Sequence, residues 1–267
     1  MSPMWILWFA LHGWAGAGEV AYDRTGRWGR VVVELDGARR TLTIDDSLQS
    51  TWSPESPHRL VYGYIRAAAA AAAIPQPAPE TALVIGLGGG TLTRHLRHHY
   101  GTEVRAIELD RRVVHAARQW FALPREVHVT VGDGRKRLEQ DRQIYDLVVV
   151  DAASEHGVPD HLLTLEFLEA VRQHLTPNGL AVANSWAEAP FADRELATWS
   201  DAFGRVLVLR SPEGDERNRV LVAGPGLPTA EAVEARAARA PAETLPQILQ
   251  LSWPTTQAAA LRDPPGG

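Results

Sequence analysis

A glycine-rich turn between two apolar runs constrains the fold of this chain more than any other feature. The run Ala82–Ile85 is followed by four glycines within five positions, Gly86, Gly88, Gly89 and Gly90. A helical pattern over residues 92–100 comes next, and a second apolar run, Val104–Ile107, ends on Glu108. The order strand, glycine turn, helix, strand and acid is typical of the nucleotide-binding half of an α/β protein.

Each part of this motif suits a nucleoside ligand. Glycines let the backbone turn tightly and let a ligand approach where no Cβ intervenes, so Gly86, Gly88 and Gly89 are candidate cofactor contacts. The helix N-terminus offers free N–H groups. An acid about 20 residues after the glycines accepts the ribose hydroxyls, which predicts that role for Glu108. The alternative is a tight strand-to-helix turn that binds nothing.

The rest of the chain alternates strands and helices. Predicted strands at Val127–Val131, Tyr145–Val150 and Leu180–Ala183 are followed by an antiparallel pair, Val206–Leu209 and Arg219–Ala223. The fold class predicted is α/β, with a doubly wound, mostly parallel, seven-stranded Rossmann-like sheet over residues 80–225.

Two smaller regions flank this nucleotide domain. Residues 21–74 are predicted to form a small β-rich domain, with strands at Gly29–Glu34 and Arg39–Ile44, a helix over 58–73, and then a proline-rich linker. Residues 226–267 are predicted to be a helical extension, with helices over 229–238 and 242–251 and a loose Pro/Gly end.

The first 20 residues allow two interpretations. Met4–Leu11 is strongly apolar and is followed by small residues, as in a secretory leader, but no Lys or Arg precedes Arg24. A buried N-terminal segment fits equally well, and the run is too short for a stable membrane span. We expect a cytoplasmic protein, because the cofactor predicted below is made in the cytosol, with export as the alternative.

Composition excludes several functions. The net charge of −5 argues against a nucleic-acid partner. The absence of cysteine excludes disulfides, thiolate catalysis and cysteine-ligated zinc.

Acids follow three of the predicted strands. Ligands of an open parallel sheet lie at the carboxyl ends of its strands, where Glu108, Asp133 and Asp151 stand. Asp133, flanked by glycines including Gly134, is a candidate acceptor for the exocyclic amine of adenine, and Asp151 emerges beside the reactive centre. For Asp133 and Asp151 the alternative is a cap or turn residue. Asp110 is predicted to be a helix N-cap.

The order of these motifs resembles the spermidine synthase family, the polyamine aminopropyltransferases. The resemblance extends over about residues 29–222 and is carried by these motifs: DDSLQ at 45–49, Tyr62 and Tyr64, LVIGLGGGTL, AIELD, VGDG, YDLVVVDA and LTLEFLEAVRQHLTPNGLAVAN. It implies a small N-terminal β domain before a methyltransferase-type nucleotide domain, and a homodimer.

The resemblance also implies the chemistry. Family members bind decarboxylated S-adenosylmethionine and transfer its aminopropyl group to a small amine, leaving methylthioadenosine. By position, Asp151 takes the proton of the attacking amine. Gln49 contacts the cofactor, Glu108 its ribose and Asp133 its adenine, while Tyr62 and Tyr64 line the amine pocket. No metal is implied.

Three departures concern the amine half of the site. The family's Gly-Gly-Gly-Asp-Gly-Gly loop is Gly86-Leu87-Gly88-Gly89-Gly90 here, one residue shorter and without the acid. Ser154 stands where the family has a second aspartate near the substrate, and Tyr62-Gly63-Tyr64 replaces a motif that ends in glutamate. We therefore expect an acceptor other than putrescine, since a dication loses most of its charge-assisted partners.

Two alternatives remain open. One is a methyltransferase that uses intact S-adenosylmethionine on a small molecule, because that cofactor carries its own carboxylate. The other is a non-catalytic relative that keeps the fold. His95, His98 and His99 are interpreted as a solvated helix face rather than a metal site, and His161 as an exposed loop histidine.

Overall fold

The computed structural model describes residues 18–152, 157–210, 218–237, 250–254, 256 and 258–264. Its N-terminal part is a four-stranded antiparallel sheet in the order β1-β2-β3-β4. The strands are β1 (Glu19–Gly26), β2 (Gly29–Asp36), β3 (Arg39–Ile44) and β4 (Ser47–Trp52). The sequence predicted only the central pair, because β1 and β4 lack a continuous apolar run.

The second sheet forms the body of the protein, and its strand order is β12-β10-β11-β9-β8-β5-β6-β7. Its strands are β5 (Thr81–Ile85), β6 (Glu103–Glu108), β7 (His128–Val131), β8 (Tyr145–Val150), β9 (Leu175–Trp186), β10 (Val206–Arg210), β11 (Asn218–Ala223) and β12 (Gln250–Ser252). Strands β9, β8, β5, β6 and β7 are mutually parallel, whereas the β9–β11, β11–β10 and β10–β12 pairs are antiparallel. The predicted seven-stranded, mostly parallel sheet is confirmed, with β12 as a short additional edge strand.

Seven α-helices and a short 3₁₀ helix lie in the described residues. They are α1 (Gly63–Ala71), α2 (Thr91–Tyr100), α3 (Arg111–Trp120), α4 (Gly134–Gln140), the 3₁₀ helix Asp160–Leu162, α5 (Leu165–Gln173), α6 (Ala192–Phe203) and α7 (Ala230–Ala237). None of them is long and apolar enough to cross a membrane.

Buried side chains form a separate core on each side of the large sheet. The alanine-rich α1 packs with α2 against one face, and α4, α5 and α6 cover the other. Alanine is suited to α1 because its small side chain lets the helix lie close to β9 and β11. A third core joins the N-terminal sheet to α3, through Val31, Leu42, Val113 and Phe121.

The C-terminal predictions need correction. The predicted helix over 242–251 falls mostly outside the described residues, and its last part, from Gln250, belongs to β12. Most of the predicted loose Pro/Gly end, residues 265–267, lies outside the described residues, whereas residues just before it are hydrogen-bonded to the nucleotide domain. The Leu261 amide donates to the Thr198 hydroxyl at 2.8 Å, and the Leu261 carbonyl accepts from the Leu165 amide at 2.8 Å. The expected apolar leader lies outside the described residues, except that Glu19 and Val20 belong to β1.

Candidate functional site

The carboxyl ends of four adjacent strands bring most of the predicted site together. Just after the last residue pair of β5 and β6, the Gly86 amide donates to the Ile107 carbonyl, at 2.9 Å. The Asp151 amide donates to the Ile85 carbonyl, at 2.8 Å, and the Gly132 amide donates to the Glu108 carbonyl, at 2.9 Å. The glycine turn and the three acids therefore lie along one edge of the sheet, where an α/β protein binds its ligand.

The glycines of the turn are required by contacts within the protein. A Cβ at Gly86 would lie 2.2 Å from the Asp151 carbonyl oxygen, and φ at Gly86 is +94°. A Cβ at Gly89 would lie 2.7 Å from the Phe121 ring and 2.9 Å from Cβ of Ser50. Tight packing thus accounts for Gly86 and Gly89 without a ligand, and the glycine cluster alone does not indicate nucleotide binding.

Glu108 is buried and hydrogen-bonded to the glycine loop. Its carboxylate accepts from the Leu87 amide at 3.0 Å and from the Asp110 amide at 2.9 Å. Burial raises the pKa of Glu108, and these amide donors oppose the rise. The Gly88 amide also lowers this pKa, so a third donor lies near the carboxylate. A carboxylate has about four lone-pair positions, which leaves acceptor capacity for a further donor.

Two exposed apolar side chains flank this acid. Leu109 and Val131 are each 39% exposed, and Val131 pairs in register with Glu108. Large aliphatic side chains at the end of a strand form a suitable surface for a flat purine ring, because covering them removes apolar area from water. Leu109 and Val131 thus form an exposed apolar surface beside Glu108.

Asp133 caps α4 and also contacts the segment that follows Asp151. One carboxylate oxygen accepts from the Lys136 amide at 3.0 Å, as the N-cap interpretation predicts. The other lies 3.0 Å from Nε2 of His161. Gly134 begins α4 and packs on Ile85, where a Cβ would lie 2.5 Å from a methyl carbon.

The carboxyl group of Asp151 has a pKa that is shifted toward neutral pH. Burial raises the pKa of Asp151 to about 7, and a hydrogen bond from Asn184 opposes the rise. The Asn184 amide nitrogen donates to the carboxylate at 3.1 Å. Asn184 is 8% exposed, and its amide oxygen has no hydrogen-bond partner among the described residues. The sequence analysis did not identify Asn184. This residue directly follows the predicted strand Leu180–Ala183, whose last residue pairs with Val150, and its place at the end of a strand was the signal that could have revealed it.

Tyr62 and Tyr64 lie where α1 begins. Tyr62 contacts Thr51 on β4, and the neighbouring Ser50 hydroxyl accepts from the Gly89 amide, so β4 links Tyr62 to the glycine loop. The Tyr62 hydroxyl is 2.6 Å from the Thr51 hydroxyl, and the two tyrosine rings are nearly parallel, with centroids 6.3 Å apart. Ser154, the third predicted substrate contact, lies outside the described residues.

Strand β4 meets the glycine loop through Ser50 rather than through the Gln49 side chain. The Gly89 amide donates to the Ser50 hydroxyl at 2.8 Å. The Gln49 amide nitrogen instead donates to the Ser47 carbonyl and hydroxyl, at 3.4 and 3.3 Å. The role predicted for Gln49 toward the cofactor stays a prediction, and Ser50 is a contact that the sequence did not reveal.

The interpretation of His95, His98 and His99 as a solvated face is wrong for His95. His95 is fully buried, and its ring centroid lies 4.2 Å from that of His99. His98 stacks on His58 with centroids 3.6 Å apart. In the part of the chain that the structure describes, no three His, Asp or Glu side chains are arranged to hold a metal ion.

Comparison with known proteins identifies the family. The model of the spermine/spermidine synthase domain matches residues 63–208, more than half of the chain. The chain belongs to the spermine/spermidine synthase family. A polyamine aminopropyltransferase of Vibrio vulnificus is 31% identical over 185 residues, which cover 67% of this chain and 62% of that relative. The chain thus spans less than two thirds of the length of this relative.

Solved structures agree with this family assignment at the level of the fold. A probable spermidine synthase from Corynebacterium glutamicum is 23% identical, with a TM-score of 0.74 over 94% of this chain and 97% of that one. Human methyltransferase-like protein 13, solved with SAH, is also 23% identical, with a TM-score of 0.60 over 69% of this chain and 91% of that one. The predicted methyltransferase-type sheet is therefore confirmed for this family member.

Proposed function

We propose that this family member transfers the aminopropyl group of decarboxylated S-adenosylmethionine to a small amine and releases methylthioadenosine. The observation that carries the proposal is Asp151, placed beside the glycine turn with a pKa raised to about 7. Family membership supports the reaction type.

In the proposed reaction, a neutral amine nitrogen attacks the carbon next to the sulfonium. The new C–N bond forms while the C–S bond breaks, and the sulfur keeps the electron pair of the broken bond. The attacking nitrogen then carries an extra proton, which Asp151 accepts. Asn184 donates to the same carboxylate and holds it in place. Glu108 holds the ribose and Asp133 the adenine amine.

The test is Asp151→Asn. We expect this variant to lose at least a hundredfold in turnover while its affinity for methylthioadenosine stays within about twofold, since general-base catalysis contributes roughly 10²–10⁴-fold. Asp146→Asn is the control, because Asp146 lies on the same strand and accepts from Glu80, Thr81 and Thr176 instead. Turnover by Asp151→Asn equal to that of the wild type contradicts the proposal.

A second candidate function is methyl transfer from intact S-adenosylmethionine. The glycine loop, which lacks the family's acid, and the similarity to a human methyltransferase-like protein favour it. Calorimetry with intact and decarboxylated S-adenosylmethionine separates the candidates. At least tenfold tighter binding of the decarboxylated form supports aminopropyl transfer, and the reverse order supports methyl transfer.

A further inference from the structure

Both carboxylate oxygens of Asp133 have a hydrogen-bond partner within the protein. The Lys136 amide takes one oxygen and Nε2 of His161 takes the other, each at 3.0 Å. A base amine that donates to Asp133 needs the same separation of about 2.9–3.0 Å. Because Oδ1 caps α4, a base amine has to approach Oδ2, the oxygen that the imidazole contacts, and the two donors would crowd each other there.

The main chain beside His161 is anchored, but its side chain is not enclosed. The Arg135 guanidinium donates to the His161 carbonyl and to the Thr164 hydroxyl, both at 3.2 Å, and Asp263 pairs with the same guanidinium. The His161 side chain is 45% exposed. Rotation of the ring toward water is thus possible while the 3₁₀ helix stays bound to α4.

We propose that His161 competes with the nucleoside for Asp133, so that the imidazole must leave when the adenine amine arrives. This inference rests on the proposed function, which assigns the adenine to Asp133. It makes His161 a positioning residue of the nucleoside site, and it predicts that removing the imidazole tightens binding.

Several charged groups surround His161. They are Asp133 and Arg135 from the α4 side, Asp263 from the C-terminal segment, and Asp160 on its own helix. The hydrogen bond from Arg135, with a smaller contribution from His161, holds the pKa of Asp263 below its usual value. The contact between His161 and Asp133 is thus one of several polar contacts on this side of the site.

The experiment measures the affinity for methylthioadenosine by calorimetry. The variants are His161→Ala, Asp133→Asn and the control His128→Ala, an exposed histidine on β7 whose Nε2 lies 3.4 Å from the Thr130 hydroxyl. Asp133→Asn keeps an oxygen that can cap α4.

We expect His161→Ala to bind methylthioadenosine about threefold to fivefold tighter than the wild type, which is the scale of one exposed polar contact. His128→Ala should match the wild type. Weaker binding by His161→Ala would mean that the imidazole contacts the base, and equal binding would mean that it does not compete; either result overturns the inference.

The adenine assignment at Asp133 and the competition by His161 can be tested separately. If Asp133→Asn binds at least fivefold more weakly than the wild type while His161→Ala binds equally well, the adenine assignment stands and only the competition is wrong. If Asp133→Asn binds as well as the wild type, the adenine assignment itself is wrong, and the competition falls with it.

Discussion

The carboxyl group of Asp151 titrates at a pH where the protein is expected to work. A base must be unprotonated, and burial raises the pKa of Asp151 to about 7. We therefore expect kcat/KM to fall about tenfold per pH unit below roughly pH 6.5. The hydrogen bond from Asn184 lowers this pKa, so Asn184→Leu should move the acidic limb of the profile to higher pH. An unchanged limb in that variant would show that Asn184 does not stabilise the charged carboxylate.

Glu108 combines a proposed ligand contact with two internal hydrogen bonds. Replacing it with alanine removes the proposed ribose acceptor and frees the Leu87 and Asp110 amides. We expect Glu108→Ala to weaken methylthioadenosine binding at least tenfold, which is about 1.4 kcal/mol. Glu103→Ala, an exposed position on the same strand, is the control. Thermal unfolding of both variants separates lost binding from lost structure, and equal affinity would place the ribose elsewhere.

Gly86 tests the contact between the glycine turn and the proposed base. A Cβ there would meet the Asp151 carbonyl at 2.2 Å, whereas at Gly101, which has a similar positive φ, no atom lies within 4 Å. Both alanine variants carry the cost of positive φ, about 1 kcal/mol. Gly86→Ala should lose at least tenfold more activity than Gly101→Ala because only the former displaces Asp151. Equal losses would show that backbone strain alone is responsible.

Among the individual site residues, the sequence identified those that directly follow a strand. Glu108, Asp133 and Asp151 were found because a predicted strand ends at or just before each of them. Ser50, Asn184 and the His161–Asp133 contact were not found, because each depends on which distant element packs beside the site. Periodicity along the chain carries no information about such pairs.

Helix α2 shows the same difficulty for an entire element. Its sequence, TLTRHLRHHY, has the polarity of a surface helix, yet His95 and Arg94 are buried. Arg94 lies over the Trp52 ring, with its guanidinium carbon 4.9 Å from the centroid, and Nδ1 of His95 lies 3.2 Å from the His58 carbonyl. The segment that follows β4 covers this face of the helix, and nothing in the α2 sequence indicates that cover.

The burial of His95 makes stability depend on pH. Burial, with smaller contributions from His99, His58 and His98, lowers the pKa of His95 from 6.5 to about 4. The unfolded chain therefore binds a proton that the folded protein does not, and His95 destabilises the fold progressively as the pH falls from 6.5 to 4. The full effect is at most about 3 kcal/mol.

Asp151 has the opposite effect on stability over this pH range. Because its pKa is raised in the folded protein, the folded state is favoured as the pH falls toward 4. The informative quantity is thus the difference in unfolding free energy between the wild type and His95→Leu, measured by denaturant titration at pH 7 and pH 4.5. We expect the wild type to lose about 2 kcal/mol relative to the variant between these values. A constant difference would contradict the prediction. His115→Leu, on α3, serves as the control.

Short elements with few apolar residues were also missed. Helix α4 was not predicted because Leu138 is its only buried side chain, which leaves no periodic pattern. The long, strongly apolar strands β5, β6 and β8 were predicted to within one residue. The central α/β architecture therefore follows from the sequence, whereas the elements that complete the site from outside do not.

In the whole molecule, both end regions of the described chain pack against the nucleotide domain. The N-terminal sheet joins through its core with α3 and through the Ser50 hydrogen bond to the glycine loop. The C-terminal segment joins α4 and α5, where the Asp263 carboxylate accepts from Arg135 at 2.7 Å and its amide donates to Glu166 at 2.9 Å.

The C-terminal contact should contribute measurably to stability. We expect Asp263→Ala to lower the free energy of unfolding by about 1–2 kcal/mol, because Arg135 is mostly buried and loses a bidentate partner. For a chain of this size, that corresponds to a decrease of about 3–6 °C in the melting temperature. Arg262→Ala, which breaks a longer and more exposed pair with Glu166, is the control. Equal melting temperatures would show that the segment does not stabilise the domain.

The contacts of residues 261–263 also bear on how the protein is made. The first residue of α5 donates to the Leu261 carbonyl, so the nascent nucleotide domain lacks this bond until nearly a hundred further residues have left the ribosome. The N-terminal sheet and the glycine turn, by contrast, use residues that emerge early. Closure of the α4–α5 side therefore waits until residues 261–263 have been synthesised.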